Sequence, residues 1–193
     1  MPVINAEVAY EALNGKIPAD VPRLMCWACL LSGAAGHTYG ANGIWQLNRK
    51  DQPYGNSPWG GNYGPIPWDE AMRLPGSAQV GYAAKLFRKV GFEKFEPHPE
   101  WAGFASPKAG GDKFLVPYAA GVAKQVRVVY VPTPEAIVVH GLEGGVRYRM
   151  TRLDPVTGKE AEAGMAEADA SGDWRVSPPE GCDHDWVVAL KAR

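Results

Sequence analysis

The chain has 193 residues, 20 Lys+Arg against 21 Asp+Glu, a formal net charge of -1, and 46% hydrophobic with 10% aromatic residues. This is a globular composition with room for one domain or two small ones. It offers no broad electrostatic footprint for nucleic acid or an anionic membrane and no apolar run of about 18 residues, so neither partner class is expected.

The chain opens Met1-Pro2-Val3-Ile4-Asn5-Ala6-Glu7. No basic segment precedes an apolar one, so no export signal is expected there, and the compartment stays open. Pro2 to Ala6 reads as a short strand. Pro18, Asp20 and Pro22 supply helix-start chemistry, with Asp20 as N-cap of a helix from about Val21 to Ser32. Gly33-Ala34-Ala35-Gly36 ends that helix, and His37-Thr38-Tyr39-Gly40 reads as a second strand. An aromatic, Gly-rich loop from Ala41 to Pro67 leads to a helical turn at Trp68–Met72. A longer helix is predicted from Pro75 to about Val90, with Val80, Ala83, Ala84 and Phe87 as its buried face and Gly91 as its stop.

The charge then changes. Residues 1–92 carry 8 Lys+Arg and 6 Asp+Glu, whereas 93–193 carry 12 and 15. Glu96-Pro97-His98-Pro99 and Ser106-Pro107-Lys108-Ala109-Gly110-Gly111 read as a linker over 93–112. Beyond it the period becomes alternating: Val126 to Val131, Ala136 to His140, Val146 to Leu153, Asp173 to Val176 and Trp186 to Leu190 are predicted strands. Glu143-Gly144-Gly145 and Asp154-Pro155-Val156-Thr157-Gly158 are turns between them. Residues 113–193 are therefore expected to form a small antiparallel β-sandwich, and the fold class is α/β plus all-β.

Glu7 directly follows an apolar strand and Glu11 comes four residues later, the address at which a parallel strand delivers carboxylates to the mouth of an α/β barrel. Glycoside cleavage needs two carboxyl groups flanking the bond, one to donate a proton and one to attack or activate water. The alternative is that Glu7 or Glu11 caps a turn or pairs with Arg23. Six Tyr or Trp residues (Tyr39, Trp45, Tyr54, Trp59, Tyr63, Trp68) fall within 30 positions, in a stretch rich in Gly, Asn and Pro. Aromatic faces on such a loop suit sugar rings while Asn and Gln bond hydroxyls; a lid packing its own aromatics is the competing reading. His37 adds a donor or acceptor beside the carboxylate, or is a structural hydrogen-bonding residue.

Cys26-Trp27-Ala28-Cys29 invites a redox or zinc reading, but Cys26 lies beyond the first helical turn, where thiolate activation is lost. Cys182, His184 and the scattered histidines add no second clustered pair, so no metal and no other cofactor is expected. No phosphate-cradling motif and no Gly-x-Ser-x-Gly elbow is present.

Pro2-Val3-Ile4-Asn5-Ala6-Glu7-Val8-Ala9-Tyr10-Glu11 and Gly33-Ala34-Ala35-Gly36-His37-Thr38-Tyr39-Gly40-Ala41-Asn42-Gly43-Ile44-Trp45 resemble the last two strand-loop units of the apiosidase-like glycoside hydrolases. Trp68 to Phe87 resembles the family's final barrel helix. Val129-Tyr130-Val131-Pro132, Asp154 to Gly158 and Pro178-Pro179 ahead of Asp185-Trp186-Val187-Val188 resemble the C-terminal β-sandwich, often labelled collagen-binding, that accompanies this barrel. The resemblance implies that residues 1–92 are the end of a (β/α)8 barrel, with Glu7 as the catalytic carboxylate after strand seven. Glu11, His37, Tyr39, Asn42 and Trp45 would line the sugar subsite. The acid/base carboxylate after strand four has no counterpart in this sequence. The implied protein is thus a C-terminal piece of a hydrolase of complex, pectin-type glycans. Alone it is expected to be inactive, with a barrel remnant open to self-association. The competing reading is a non-catalytic glycan- or protein-binding module with a barrel-like buttress.

Overall fold

The computed structural model describes residues 1–44, 46–55, 64–106 and 112–193. It combines helices with parallel and antiparallel strands and divides into two compact units, 1–29 with 34–85 and 30–33 with 86–193.

In the first unit, strand β1 (Ile4–Asn5) pairs in parallel with β2 (Gly36–His37), Ile4 opposite Gly36 and Asn5 opposite His37. The two segments stay together beyond these short strands. Ala35 N donates to Val3 O at 2.7 Å, Thr38 N to Asn5 O at 3.0 Å, and a second parallel bridge joins Glu11 to Ala41. Parallel neighbours need a crossover, and helix α1 (Asp20–Leu31) supplies it. Asp20, expected as the N-cap, is instead the first helical residue, where its carboxylate still faces the positive end of the helix dipole. The α1 residues Cys26, Trp27, Leu30 and Leu31 are buried, and Asn5 Nδ2 donates to Cys29 Sγ at 2.9 Å.

Helices α2 (Trp68–Ala71) and α3 (Pro75–Val90) follow where the spacing predicts them. The buried stripe of α3 is displaced from the expected one: Gln79, Ala83, Leu86 and Phe87 are buried, while Val80 and Ala84 are partly exposed. The reason is polar. Arg23 Nη1 donates to Gln79 Oε1 at 2.6 Å, and a side-chain amide satisfied in this way is tolerated inside.

The second unit is antiparallel throughout. Its strands are β3 (Glu96–Pro97), β4 (Ala102–Phe104), β5 (Tyr118–Val122), β6 (Val126–Val131), β7 (Ile137–Val139), β8 (Tyr148–Leu153), β9 (Glu160–Met165), β10 (Trp174–Val176) and β11 (Trp186–Ala192). Six form one sheet in the order β3-β5-β6-β11-β8-β9, and three form another in the order β10-β7-β4. Central β11 sets Val187 against Tyr130 on one side and Leu153 on the other. Side chains of both sheets enter one apolar cluster that includes Val129, Val131, Ile137, Val139, Trp174, Trp186, Val188 and Leu190.

Residues 93–104, expected to belong to a linker, are folded. With Phe92 they form two single 3-10 turns (Phe92–Lys94 and Pro99–Trp101) with β3 and β4, and Trp101 and Ala102 join the core. The prolines permit this because Pro97 occupies an edge strand and Pro99 opens a turn, two places where a missing N–H costs nothing. The remaining linker signal, 107–111, lies outside the described residues.

Candidate functional site

Glu7 leaves β1 two residues after its last paired position and is exposed to solvent. Its position is held from both sides. Thr38 Oγ1 donates to Ala6 O at 2.5 Å, tying the preceding peptide to β2, and Tyr10 OH donates to Glu7 Oε1 at 2.8 Å. The Tyr10 hydroxyl is itself made harder to ionise, first by this hydrogen bond, then by burial and the nearby negative charge. The ring of Tyr10 lies so close to Gly40 that a Cβ there would stand 2.1 Å from the ring, so only glycine fits beside it. Tyr10 is the residue that sequence reasoning passed over; its only signal was its place three residues after Glu7.

Glu11 is placed differently. It is 3% exposed, and its Oε2 accepts from Gly76 N at 2.9 Å and from Tyr39 OH at 2.5 Å. Gly76 is the second residue of α3, so the carboxylate satisfies an N–H that the helix cannot, at the positive end of its dipole. Burial, followed by the bond to Glu11, pushes the Tyr39 phenol strongly upward, and the proton stays on Tyr39 as donor. Two of the predicted site residues are therefore joined to each other and to a third, Gly76, that the sequence did not single out.

Asn42 is fully buried and organises the loop that follows β2. Its Oδ1 accepts from Gln46 Nε2 at 3.2 Å, its Nδ2 points to Ala12 O at 3.4 Å, and its backbone N–H donates to Glu11 O at 2.8 Å. Asn48, also buried, donates to Ile66 O at 2.7 Å and accepts from Tyr54 N at 2.7 Å. The amides expected to meet hydroxyls thus bracket their own loop, which a polar loop needs wherever its backbone is buried. His37, half-buried on β2, has both ring nitrogens buried and without a hydrogen-bond partner among the described residues. Burial lowers its pKa, so the ring is neutral at pH 7 and carries one donor and one acceptor. Trp45, Trp59 and Tyr63 lie outside the described residues; Tyr54 and Trp68 are exposed. In α1, burial and then Cys29 push the Cys26 thiol up to about 12, which makes it inert as a nucleophile at neutral pH.

Residues 1–94 match the family model described as "Apiosidase-like, catalytic domain". Among solved structures, a glycoside hydrolase aligns with a TM-score of 0.80 and 20% identity over 98% of this chain and 42% of its own. A family 5 glycoside hydrolase from Bacteroides vulgatus gives a TM-score of 0.80 and 20% identity over 98% and 41%. A cycloisomaltooligosaccharide glucanotransferase from Paenibacillus sp., complexed with cycloisomaltoheptaose, gives 0.51 and 12% over 89% and 27%. No curated protein matches the chain. At these identities the structural likeness is one of fold, and the chain spans about two-fifths of the length of the first two structures. The resemblance to apiosidase-like glycoside hydrolases rests on the family match over residues 1–94 together with these folds.

Proposed function

We propose that residues 1–92 are the last two strand-helix units of a (β/α)8 glycoside hydrolase and that residues 113–193 are its accompanying β-sandwich. In this reading the completed protein cleaves complex, pectin-type glycans. The observation that carries the proposal is Glu7. It is an exposed carboxylate at the C-terminal end of a parallel strand, held in place by Tyr10 OH at 2.8 Å, within a segment that matches a catalytic-domain family. Barrel chemistry is built at that end of the strands.

Glu7 acts on the sugar as one carboxylate of a pair, and its partner, the acid that protonates the departing oxygen, belongs to an earlier strand. Tyr10 orients Glu7 by donating to its Oε1. His37 and Trp45 are assigned to the sugar subsite on the family resemblance; both His37 ring nitrogens are buried, and Trp45 lies outside the described residues. Glu11, Tyr39 and Asn42 shape the subsite from behind: Glu11 and Tyr39 fix the start of α3, and Asn42 fixes the loop.

The test is binding and turnover of a pectin-derived oligosaccharide by the 193-residue protein. Binding without cleavage is expected, with affinity lowered about tenfold in Glu7→Gln, the worth of one charge-assisted hydrogen bond. Cleavage by this chain alone, or affinity indifferent to Glu7→Gln, would refute the reading.

A further inference from the structure

The six-stranded sheet of the second unit has more strands than the sheet that shares its core, and at β8 and β9 its inner face continues past the apolar cluster. Tyr148 and Met150 of β8 lie in that cluster. Arg152 is the next residue on the same face, where alternation alone would call for another apolar side chain. Here the segment around residues 179–184 comes across, and a cavity of about 560 Å³ lies between it, β8, β9 and Trp186 of β11. A cavity of this size holds a small ligand of one or two rings.

Its wall carries hydrogen-bonding groups that the fold leaves unused. Arg152 Nη2 donates to Ser177 O at 3.1 Å, but Arg152 Nε is buried with no partner, and the guanidinium has no carboxylate at ion-pair distance among the described residues. Trp186 is 1% exposed, and its indole Nε1 is likewise buried and unpartnered. A buried donor left unmade costs about 1–3 kcal/mol, and both of these sit on residues that line the cavity, which favours a ligand that brings acceptors.

Acceptors are present too. His184 Nδ1 lies 2.7 Å from Asp185 O and donates there, which leaves Nε2 as the ring nitrogen open to a ligand hydroxyl. Asp154 Oδ1 is 3.9 Å from that nitrogen and is already taken by the N–H groups of Val156 and Thr157. Glu180 is exposed at the rim.

We propose that this cavity binds a hydroxylated carboxylate of the sugar-acid class, with its carboxylate on Arg152 and its hydroxyls on His184 Nε2 and Glu180. A neutral sugar would leave the guanidinium uncompensated. A fatty acid would set its tail against Lys159, Glu162 and Glu180. The cavity is lined by residues of the second unit, and the proposal does not depend on the function proposed for Glu7.

The test titrates the 193-residue protein with sodium glucuronate, glucose and sodium acetate at constant ionic strength, following the indole N–H resonances by NMR. Glucuronate is expected to shift one indole resonance saturably, with glucose and acetate at least tenfold weaker. Arg152→Gln should weaken glucuronate about tenfold or more, and Lys191→Ala, at an exposed position outside the cavity lining, should leave it unchanged. Should Arg152→Gln not fold, His184→Phe, which removes a partner of the ligand hydroxyls, must weaken glucuronate and leave acetate unaffected. No saturable shift, equal binding of glucose or acetate, or indifference to both cavity variants would overturn the proposal.

Discussion

At the residue scale, Glu143 shows how a charge is kept inside the second unit. Arg127, 1% exposed, lies 4.0 Å over the Trp101 ring and donates to His140 O at 2.8 Å and Gly141 O at 2.5 Å. It pairs with Glu143 at 3.0 Å, and Glu143 also accepts from Tyr148 OH and from Lys124 N at 3.0 Å. Burial opposes ionisation of Glu143, but the hydrogen bonds from Tyr148, the backbone and Arg127 outweigh it and hold the carboxyl at about 2. A carboxyl depressed in the folded state stabilises the fold above its unfolded value near 4.5, and that contribution is lost as pH falls towards 2. Glu143→Gln should therefore cost about 2–3 kcal/mol at pH 7 and almost nothing at pH 2, read from urea midpoints at the two pH values.

Gly76 poses a second test at this scale. A Cβ at Gly76 would stand 2.3 Å from Glu11 Oε2 and 3.0 Å from the Tyr39 ring. Alanine favours a helix over glycine by about 1 kcal/mol, but here it displaces a buried carboxylate from two donors, at about 1.5–3 kcal/mol each. The second effect wins. Gly76→Ala is expected to lower the urea midpoint, and Tyr39→Phe to lower it less, because Tyr39→Phe leaves the Gly76 bond in place.

At the scale of elements, β11 holds the large sheet together because it is paired on both sides and buried from Trp186 to Leu190. Leu190→Ala removes a fully buried side chain from the shared cluster and should cost about 2–5 kcal/mol. Lys191→Ala, one residue further and exposed, should stay within about 0.5 kcal/mol. A denaturation series on the two variants checks both. The strands differ in how clearly sequence announces them. β6 and β11 are runs of Val, Leu and aromatic residues and fall where alternation predicts. β5 (Tyr-Ala-Ala-Gly-Val) and β9 (Glu-Ala-Glu-Ala-Gly-Met) do not, since Ala, Gly and Glu are poor strand formers and become strands through their neighbours. In β9 the exposed Glu162 meets Arg149 at 3.0 Å and Glu160 meets Lys89 at 2.6 Å, a charged edge that resists further pairing.

At the scale of the whole molecule, the first unit has a two-stranded parallel sheet whose outer edges are unpaired among the described residues, with Val3 67% and Ile4 60% exposed. Parallel strands are normally covered on both faces, so this surface invites association. Sedimentation of the purified protein should show mass rising with concentration, and Ile4→Lys should suppress the rise. A monomer unaffected by the substitution would show that the surface is not sticky.

Sequence by itself determined the strand-helix-strand order of the first unit, the extent of α3, most strands of the second unit, and Glu7 as the carboxylate at a strand end. Each of these depends on neighbours a few residues apart, whose periodicity and capping chemistry are local. Only the tertiary structure decided that Glu11 anchors α3 and that the Asn42 and Asn48 amides turn inward. It alone revealed that Tyr10 holds Glu7, that residues 93–104 fold, and that Arg152 and Trp186 line one cavity. A side chain's partner can lie as far off as Gly76 lies from Glu11, 65 residues along the chain, and no local pattern encodes which distant donor will arrive beside a buried carboxylate.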